Sequence, residues 1–275
     1  MRLENLGNGR HYAGPMIPKL LHFCYFSSPE ANADFPLVYF FAVRSAIHHI
    51  RPDRTYVHCV APPRGLWWEQ LRNLVQEVPC DLPTEIFGRT LYHPAHRSDV
   101  RRLRVLQEQG GIYLDLDTIT VRSFDPLLSH SCVMGRQSST YGDGLCNAVI
   151  LCEPGSEFVA AWIQEYHHFR SKGRDEFWDE LSVRTPLRLA REFSARAPAR
   201  PAIHIEPPAS FFQPGFEPQE LKGLFERDLP HPEAYCHHLW WNYAFDRYLR
   251  ALTPELIRTV DTTYNRLARP YLPAS

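Results

Sequence analysis

The stretch from Ser98 to Asp117 constrains this chain most, because its periodicity changes from helical to extended within twenty residues. Val100, Leu103 and Leu106, with Val105 at the margin, form an apolar stripe at helical spacing. Ser98 is positioned to cap this helix, Asp99 suits its positive end, and Gly110-Gly111 ends it. Ile112 to Leu116 then reads as an apolar strand that runs into Asp115 and Asp117. A helix delivered through two glycines into a buried strand belongs to an α/β fold.

The flanking sequence repeats the alternation. Ile17 to Tyr25 reads as a first strand, and Phe35 to Ile50 as a helix that stops at Arg51-Pro52. Thr55 to Ala61 is a strand, Trp67 to Gln76 a helix and Thr84 to Phe87 a short strand. After the central unit come strands at Cys132 to Gly135 and Leu145 to Cys152, then an amphipathic helix from Glu157 to Arg170. Asp175 to Arg196 is helical with a break near Pro186, Ile203 to Glu206 is a strand in a Pro-rich loop, and Tyr235 to Trp240 is a last strand before two short helices. The pattern predicts a Rossmann-like, mostly parallel sheet flanked by helices, with irregular helical decoration at the C-terminus. Without repeats or a linker, residues 1–275 read as one domain: a flexible polar segment at 1–14, a core at 15–155 and a C-terminal part at 156–275.

Composition removes several function classes. A net charge of −1 gives no footprint for nucleic acid. No apolar run approaches the ~20 residues of a spanning helix, and Met1 to Gly14 is too polar for a signal peptide. Seven widely spaced cysteines without a CxxC pair fit neither a disulfide framework nor a zinc ribbon. A reducing cytosol is the simplest compartment, and a bacterial cytoplasmic protein, at most peripheral to a membrane, is the expectation. No G-x-G-x-x-G follows the first strand, which disfavours a dinucleotide oxidoreductase.

Asp115 and Asp117 are one residue apart, so on a regular strand both carboxylates face the same side. At the carboxyl edge of an open α/β sheet they would lie where ligands bind. Two close carboxylates repel unless a cation joins them, and such hard oxygen sites suit Mg²⁺ or Mn²⁺. A bare Asp-x-Asp is as readily a solvated acidic turn. Asp99 and Arg102, three apart on one helical face, add a second charged pair, either an approach to a diphosphate or a surface ion pair. His238 is a plausible neutral ligand, with His237 pointing the other way on a strand. Asp143, in the loop from Ser138 to Gly144, reads as a general base, as an acceptor for a sugar hydroxyl or as a turn residue.

The whole unit, S-D-x-x-R…L-x-x-x-G-G-I-Y-x-D-x-D, resembles the sugar-binding region of DXD-containing GT-A-type glycosyltransferases. These include initiation-specific mannosyltransferases, α-1,4-galactosyltransferases and the large clostridial glucosylating toxins. Ile17 to His22 resembles the family's IPKxIH start, with Tyr25 or Phe26 where Trp often stands. Asn147 before Glu153-Pro154-Gly155, and His238-Leu239-Trp240, resemble later family motifs, and the likeness is patchy in the C-terminal third.

The resemblance implies a GT-A fold and a hexosyltransferase that uses Mn²⁺ or Mg²⁺ and a nucleotide sugar, a UDP-sugar ahead of a GDP-sugar. It implies Asp117, Asp115 and His238 as metal ligands. It places His22, Tyr25, Asp99, Arg102, Tyr113, Asp115, Asn147 and Trp240 at the donor, and Asp115, Asp117 and Arg102 in the catalytic set, to which the loop position alone adds Asp143. The acceptor hydroxyl would belong to a glycan, a lipid-linked sugar or another alcohol, and transfer would retain anomeric configuration by front-face attack. The competing readings are a noncatalytic nucleotide-sugar-binding protein of the same fold and a metal-dependent phosphohydrolase.

Overall fold

The computed structural model describes residues 17–26, 34–139, 142–196, 199–229 and 232–273. The expected flexible segment at 1–14 lies outside them. In chain order the elements begin with β1 (Leu20–Tyr25), α1 (Leu37–Ile50), β2 (Arg54–Cys59), the single turn α2 (Leu66–Glu69) and β3 (Gln76–Pro79). The short strands β4 (Glu85–Ile86) and β5 (Arg89–Thr90) follow, then α3 (Pro94–Gln109), β6 (Gly111–Leu114) and β7 (Thr118–Thr120). Next come β8 (Cys132–Ser139), β9 (Gly142–Cys152), α4 (Glu157–Glu165), α5 (Thr185–Ala195) and β10 (His204–Glu206). The C-terminal part holds α6 (Pro208–Phe211), α7 (Pro218–Phe225), β11 (Cys236–His238), α8 (Trp241–Ala244), α9 (Pro254–Thr259) and α10 (Thr263–Ala268).

Seven strands form one sheet in the order β10-β8-β9-β6-β1-β2-β3. Four neighbouring pairs are parallel, and β9 runs antiparallel to both β6 and β8. The mostly parallel α/β sheet expected from the alternation is therefore what forms. Both faces are covered, so the strands carry apolar side chains on each side. Ile112 and Leu114 join Leu21, Phe23 and the α1 residues Phe40, Phe41 and Val43 in one core. Tyr113 points the other way and packs with Val100, Leu103, Phe158 and Trp162 in a second core under α3 to α5. α1 ends where Arg51 takes a left-handed conformation before Pro52, as the Arg-Pro pair predicted.

Several expectations are corrected. Trp67 to Gln76 is not a helix: it gives only the turn α2, because residues from Gln76 pair with β2 at the sheet edge. Thr84 to Phe87 contributes β4 to a ribbon outside the main sheet. α3 starts four residues before the expected Ser98, with Pro94 in its first turn and His93 as cap, whose ring accepts the Ala95 amide at 3.1 Å. Pro186 opens α5 rather than breaking it, after a π-helical turn over Glu180–Arg184. Of the loop expected from Ser138 to Gly144, residues 138–139 and 142–144 belong to β8 and β9, with Asp143 opposite Ser138, and residues 140–141 lie outside the described residues.

The double glycine at the end of α3 reflects both conformation and space. Gly110 has φ +65°, and a Cβ there would lie 2.6 Å from the Pro154 backbone nitrogen. Gly111 has φ +107°, and its Cβ would lie 2.4 Å from the Leu20 carbonyl of β1. A side chain at Gly111 would thus force β6 off β1. Gly155 has φ +71° with nothing near, so Gly155→Ala should cost only the left-handed conformation, about 1 kcal/mol. Gly111→Ala should cost several times as much, read as a larger drop in urea midpoint at constant slope. Equal midpoints for the two variants would refute the close-packing explanation.

Candidate functional site

The Asp115–Asp117 turn leaves the carboxyl end of β6 and leads into β7. Both residues lie just past the strand, so a turn, rather than strand alternation, brings their carboxylates together. The Asp115 amide donates to the Ala148 carbonyl at 2.9 Å and the Thr118 hydroxyl to the Asp115 carbonyl at 2.9 Å. β11 pairs antiparallel with β7, setting His238 opposite Thr118. That pairing lays His238 against the turn: its Nε2 is 3.2 Å from Asp117 Oδ2. One ligand atom each from Asp115, Asp117 and His238 lie within 4.8 Å of one another. Two amides fix Asp117: Leu239 N–H donates to its carbonyl and Trp241 N–H to its Oδ2, each at 2.7 Å.

Asp115 is held from the other side. The Tyr113 hydroxyl donates to Asp115 Oδ1 at 2.7 Å, and Arg102 Nη1 approaches the same oxygen at 3.0 Å. Arg102 is buried and its guanidinium is shared out. It also donates to the Asn147 carbonyl at 2.8 Å and the Ser98 hydroxyl at 3.1 Å, and it lies over the Tyr113 ring at 4.4 Å. Asp99 accepts from Asn147 Nδ2 at 2.7 Å and sits 3.4 Å from Arg102. The Asp99–Arg102 pair is therefore a buried network and not a surface ion pair.

Charge in this cluster is unevenly distributed. Burial raises the Asp115 carboxyl above the usual carboxylate range; Asp117 adds to the rise and Arg102 opposes it. Burial acts on Asp117 too, but His238 and the Trp241 amide outweigh it and hold that carboxyl below its ordinary value. Burial pulls His238 down, while Asp117 overrides it and raises the imidazole. His238 Nδ1 is buried with no protein partner. Two carboxylates and one imidazole form a donor set that fits a divalent cation such as Mn²⁺.

The cluster sits in a cavity of about 970 Å³, whose lining, among the described residues, includes seven Asp and two Arg. Asp99, Arg102, Tyr113, Asp115, Asp117, Asp143, Asn147, His238, Tyr25 and Trp240 all line it. Asp143 is at the mouth, paired with Arg136 at 3.2 Å and about half exposed. Trp240 is held by its indole N–H, which donates to the Pro214 carbonyl at 2.9 Å. His22 is the exception: fully buried, it does not line the cavity. It faces α3 because it shares the sheet face of Tyr113, its register partner. The sequence did not flag Tyr39 from α1 or Trp178 before the π turn; Trp241, an aromatic candidate for the pocket wall from the sequence, does line it. Trp241 contributes through its backbone amide, which no residue-type signal reveals.

An open α/β sheet with an acidic cavity at the carboxyl ends of its central strands defines a ligand-binding α/β protein. The family model for the glycosyltransferase sugar-binding region containing a DXD motif matches residues 30–134. Glucan organizing enzyme 1 of Cryptococcus neoformans var. grubii is 31% identical over 94% of this chain and 72% of its own length. Mannosyl phosphorylinositol ceramide synthase CSH1 of Saccharomyces cerevisiae is 30% identical over 59% of this chain, covering 39% of its own. The glycosyltransferase GlyE of Streptococcus pneumoniae shares the fold at a TM-score of 0.51 and 13% identity, over 92% of this chain and 60% of GlyE. The chain belongs to the DXD-containing glycosyltransferase family and has the GT-A fold. These sequence relatives are fungal, which overturns the expectation of a bacterial, cytoplasmic protein. No helix among the described residues is long and apolar enough to cross a membrane.

His22 belongs to a buried chain of hydrogen bonds. Arg101 donates to His58 Nδ1 at 3.1 Å, His58 Nε2 meets His22 Nδ1 at 3.2 Å, and His22 Nε2 meets the Gly110 carbonyl at 3.1 Å. A donor at one end and a carbonyl acceptor at the other fix both rings as neutral Nε2–H tautomers. Burial, with Arg101 nearby, lowers His22 to about 4 and His58 to about 3. The folded state therefore takes up these protons later than the unfolded chain. Their contribution is complete above pH ~6.5 and is lost as pH falls toward 4 and 3, at up to about 1.4 kcal/mol per pH unit for each ring. Urea unfolding should show stability dropping between pH 7 and 5 in the wild type and a flatter profile in a His22→Gln, His58→Gln double variant. Parallel profiles would sink this account.

Proposed function

We propose that this chain is a metal-dependent glycosyltransferase that moves a hexosyl group from a nucleotide sugar to an acceptor hydroxyl with retention of configuration. One observation carries the reading: Asp115, Asp117 and His238 converge from two distant parts of the chain at the base of one cavity. Asp117 and His238 would hold a divalent cation, with Asp115 beside them; when bound, that cation would supply positive charge for the departing nucleoside diphosphate. The preference for Mn²⁺, and for a UDP-sugar over a GDP-sugar, rests on the donor set and on the family resemblance.

The remaining residues take roles that follow from their contacts. Arg102 is committed to Asp115, Asp99 and Asn147, so we assign it to positioning Asp115 rather than to gripping phosphate. Tyr113 fixes the same carboxylate through its hydroxyl. Asp115, with its Oδ1 already engaged, is left to meet sugar or ribose hydroxyls with its other oxygen. Tyr25 and Trp240 offer ring surface to the donor, and residues 156–275 shape the acceptor side. Asp143, exposed at the mouth and paired with Arg136, is the carboxylate available to an incoming hydroxyl.

Asp117→Asn keeps the shape and removes the charge. Hydrolysis of a nucleotide-sugar panel with Mn²⁺ should fall by about 10³-fold or more, the scale for losing transition-state charge stabilisation. Thermal stabilisation by UDP plus Mn²⁺, expected in the wild type, should be absent. Undiminished turnover in this variant would refute the site assignment.

A further inference from the structure

The main cavity adjoins a smaller one of about 310 Å³, and Phe216 and Tyr243 line both. Their rings stack at 4.7 Å between centroids, 22° from parallel. Phe216 also meets Trp240 edge-on at 5.2 Å, and Trp240 lies 4.3 Å from the His238 ring. A continuous row of rings thus leads from the metal-ligand cluster out of the main cavity. On the far wall Tyr248 stacks on Phe225 at 4.7 Å, and its hydroxyl donates to Glu226 at 2.6 Å. The chain passes from α8 into a π turn over Phe245–Leu249. Tyr243 and Tyr248 both line the smaller cavity. Tyr243 is 60% exposed although its neighbour Phe216 is buried.

The charge of this path selects among acceptors. Its cations are already neutralised: Arg102 by Asp115 and Asp99, Arg184 by Asp179 at 2.9 Å, and Arg247 by Glu226 at 2.7 Å. Carboxylates outnumber cations on the walls of the main cavity. Along this path, away from the cation that would meet the donor diphosphate, a phosphate-bearing headgroup would meet repulsion. A neutral pyranose presents C–H groups on its face, which pack on aromatic rings, and hydroxyls at its edge, which donate to carboxylates.

We infer that the acceptor is an extended neutral oligosaccharide, whose residues beyond the reacting one lie along Phe216, Tyr243 and Tyr248 into the smaller cavity. This rests on the glycosyl-transfer reading above. Binding to remote sugars would hold the reacting hydroxyl at the donor and raise the rate for longer acceptors.

The test is binding without turnover. Malto-, cello-, laminari- and manno-oligosaccharides of one to six hexoses are titrated calorimetrically into the full chain with Mn²⁺ and UDP. In at least one series affinity should rise tenfold or more between two and five hexoses. Tyr243→Ala, a change at an exposed position, and Tyr248→Ala should abolish that gain, and Tyr248→Phe should restore it by returning the ring. Melting temperatures report whether each variant folds. A length-independent affinity in all series, or a gain that survives both alanine variants, overturns the proposal. So does tighter binding of phosphatidylinositol-containing vesicles than of any oligosaccharide. Because no turnover is required, a missing glycosyl transfer would show separately, in donor hydrolysis.

Discussion

The buried guanidinium of Arg102 is the interaction on which the site rests. It joins α3, the turn that follows β6, and β9, because its partners Asp99 and Ser98, Asp115, and Asn147 come from those three places. A buried charge is tolerated when it is paired, as both Nη atoms are here although Nε has no partner, and loss of one partner leaves the others uncompensated. The two carboxylates beside it would repel each other if they were alone. Arg102 and Tyr113 occupy one side of Asp115, and His238 and the Trp241 amide one side of Asp117. The open side between them faces the cavity, and there charge is still in deficit.

What the sequence revealed and what it hid divide by distance along the chain. The helix, the two glycines, β6 and the Asp-x-Asp turn are contiguous, and each has a local cause: an apolar stripe, a left-handed stop, an apolar run. That unit was legible, as was the α/β alternation around it. β7 and β11 are three residues each and gain their stability from each other, so no window of sequence marks them as a pair. The His93 cap escaped notice because His is an uncommon cap; Pro94, in the first turn, was the available signal. Trp67 to Gln76 has helical composition, but tertiary pairing with β2 claimed its end for a strand.

His22 shows the limit of a motif. The Ile17-to-His22 segment matched a donor-site pattern, yet His22 sits midway along β1, short of the carboxyl end where Cys24 and Tyr25 meet the cavity, and its ring is taken up by hydrogen bonds with His58 and Gly110. Its contact with the Gly110 carbonyl ties β1 to the end of α3, so the residue stabilises the platform on which the site stands. Tyr25, the last residue of β1, does reach the cavity.

The pairing of β7 with β11 has a consequence for how the molecule comes to be. His238 meets Asp117 across more than a hundred residues of chain, and such non-local contacts form late and slowly. During synthesis the Asp-x-Asp turn emerges well before its imidazole partner, with Asp115 and Asp117 side by side and incompletely compensated. The nascent site would remain half built until the C-terminal segment has left the ribosome and found β7. Completion of the ligand set thereby reports completion of the fold, and a partly folded chain carries two aspartates without the third group that makes them a site.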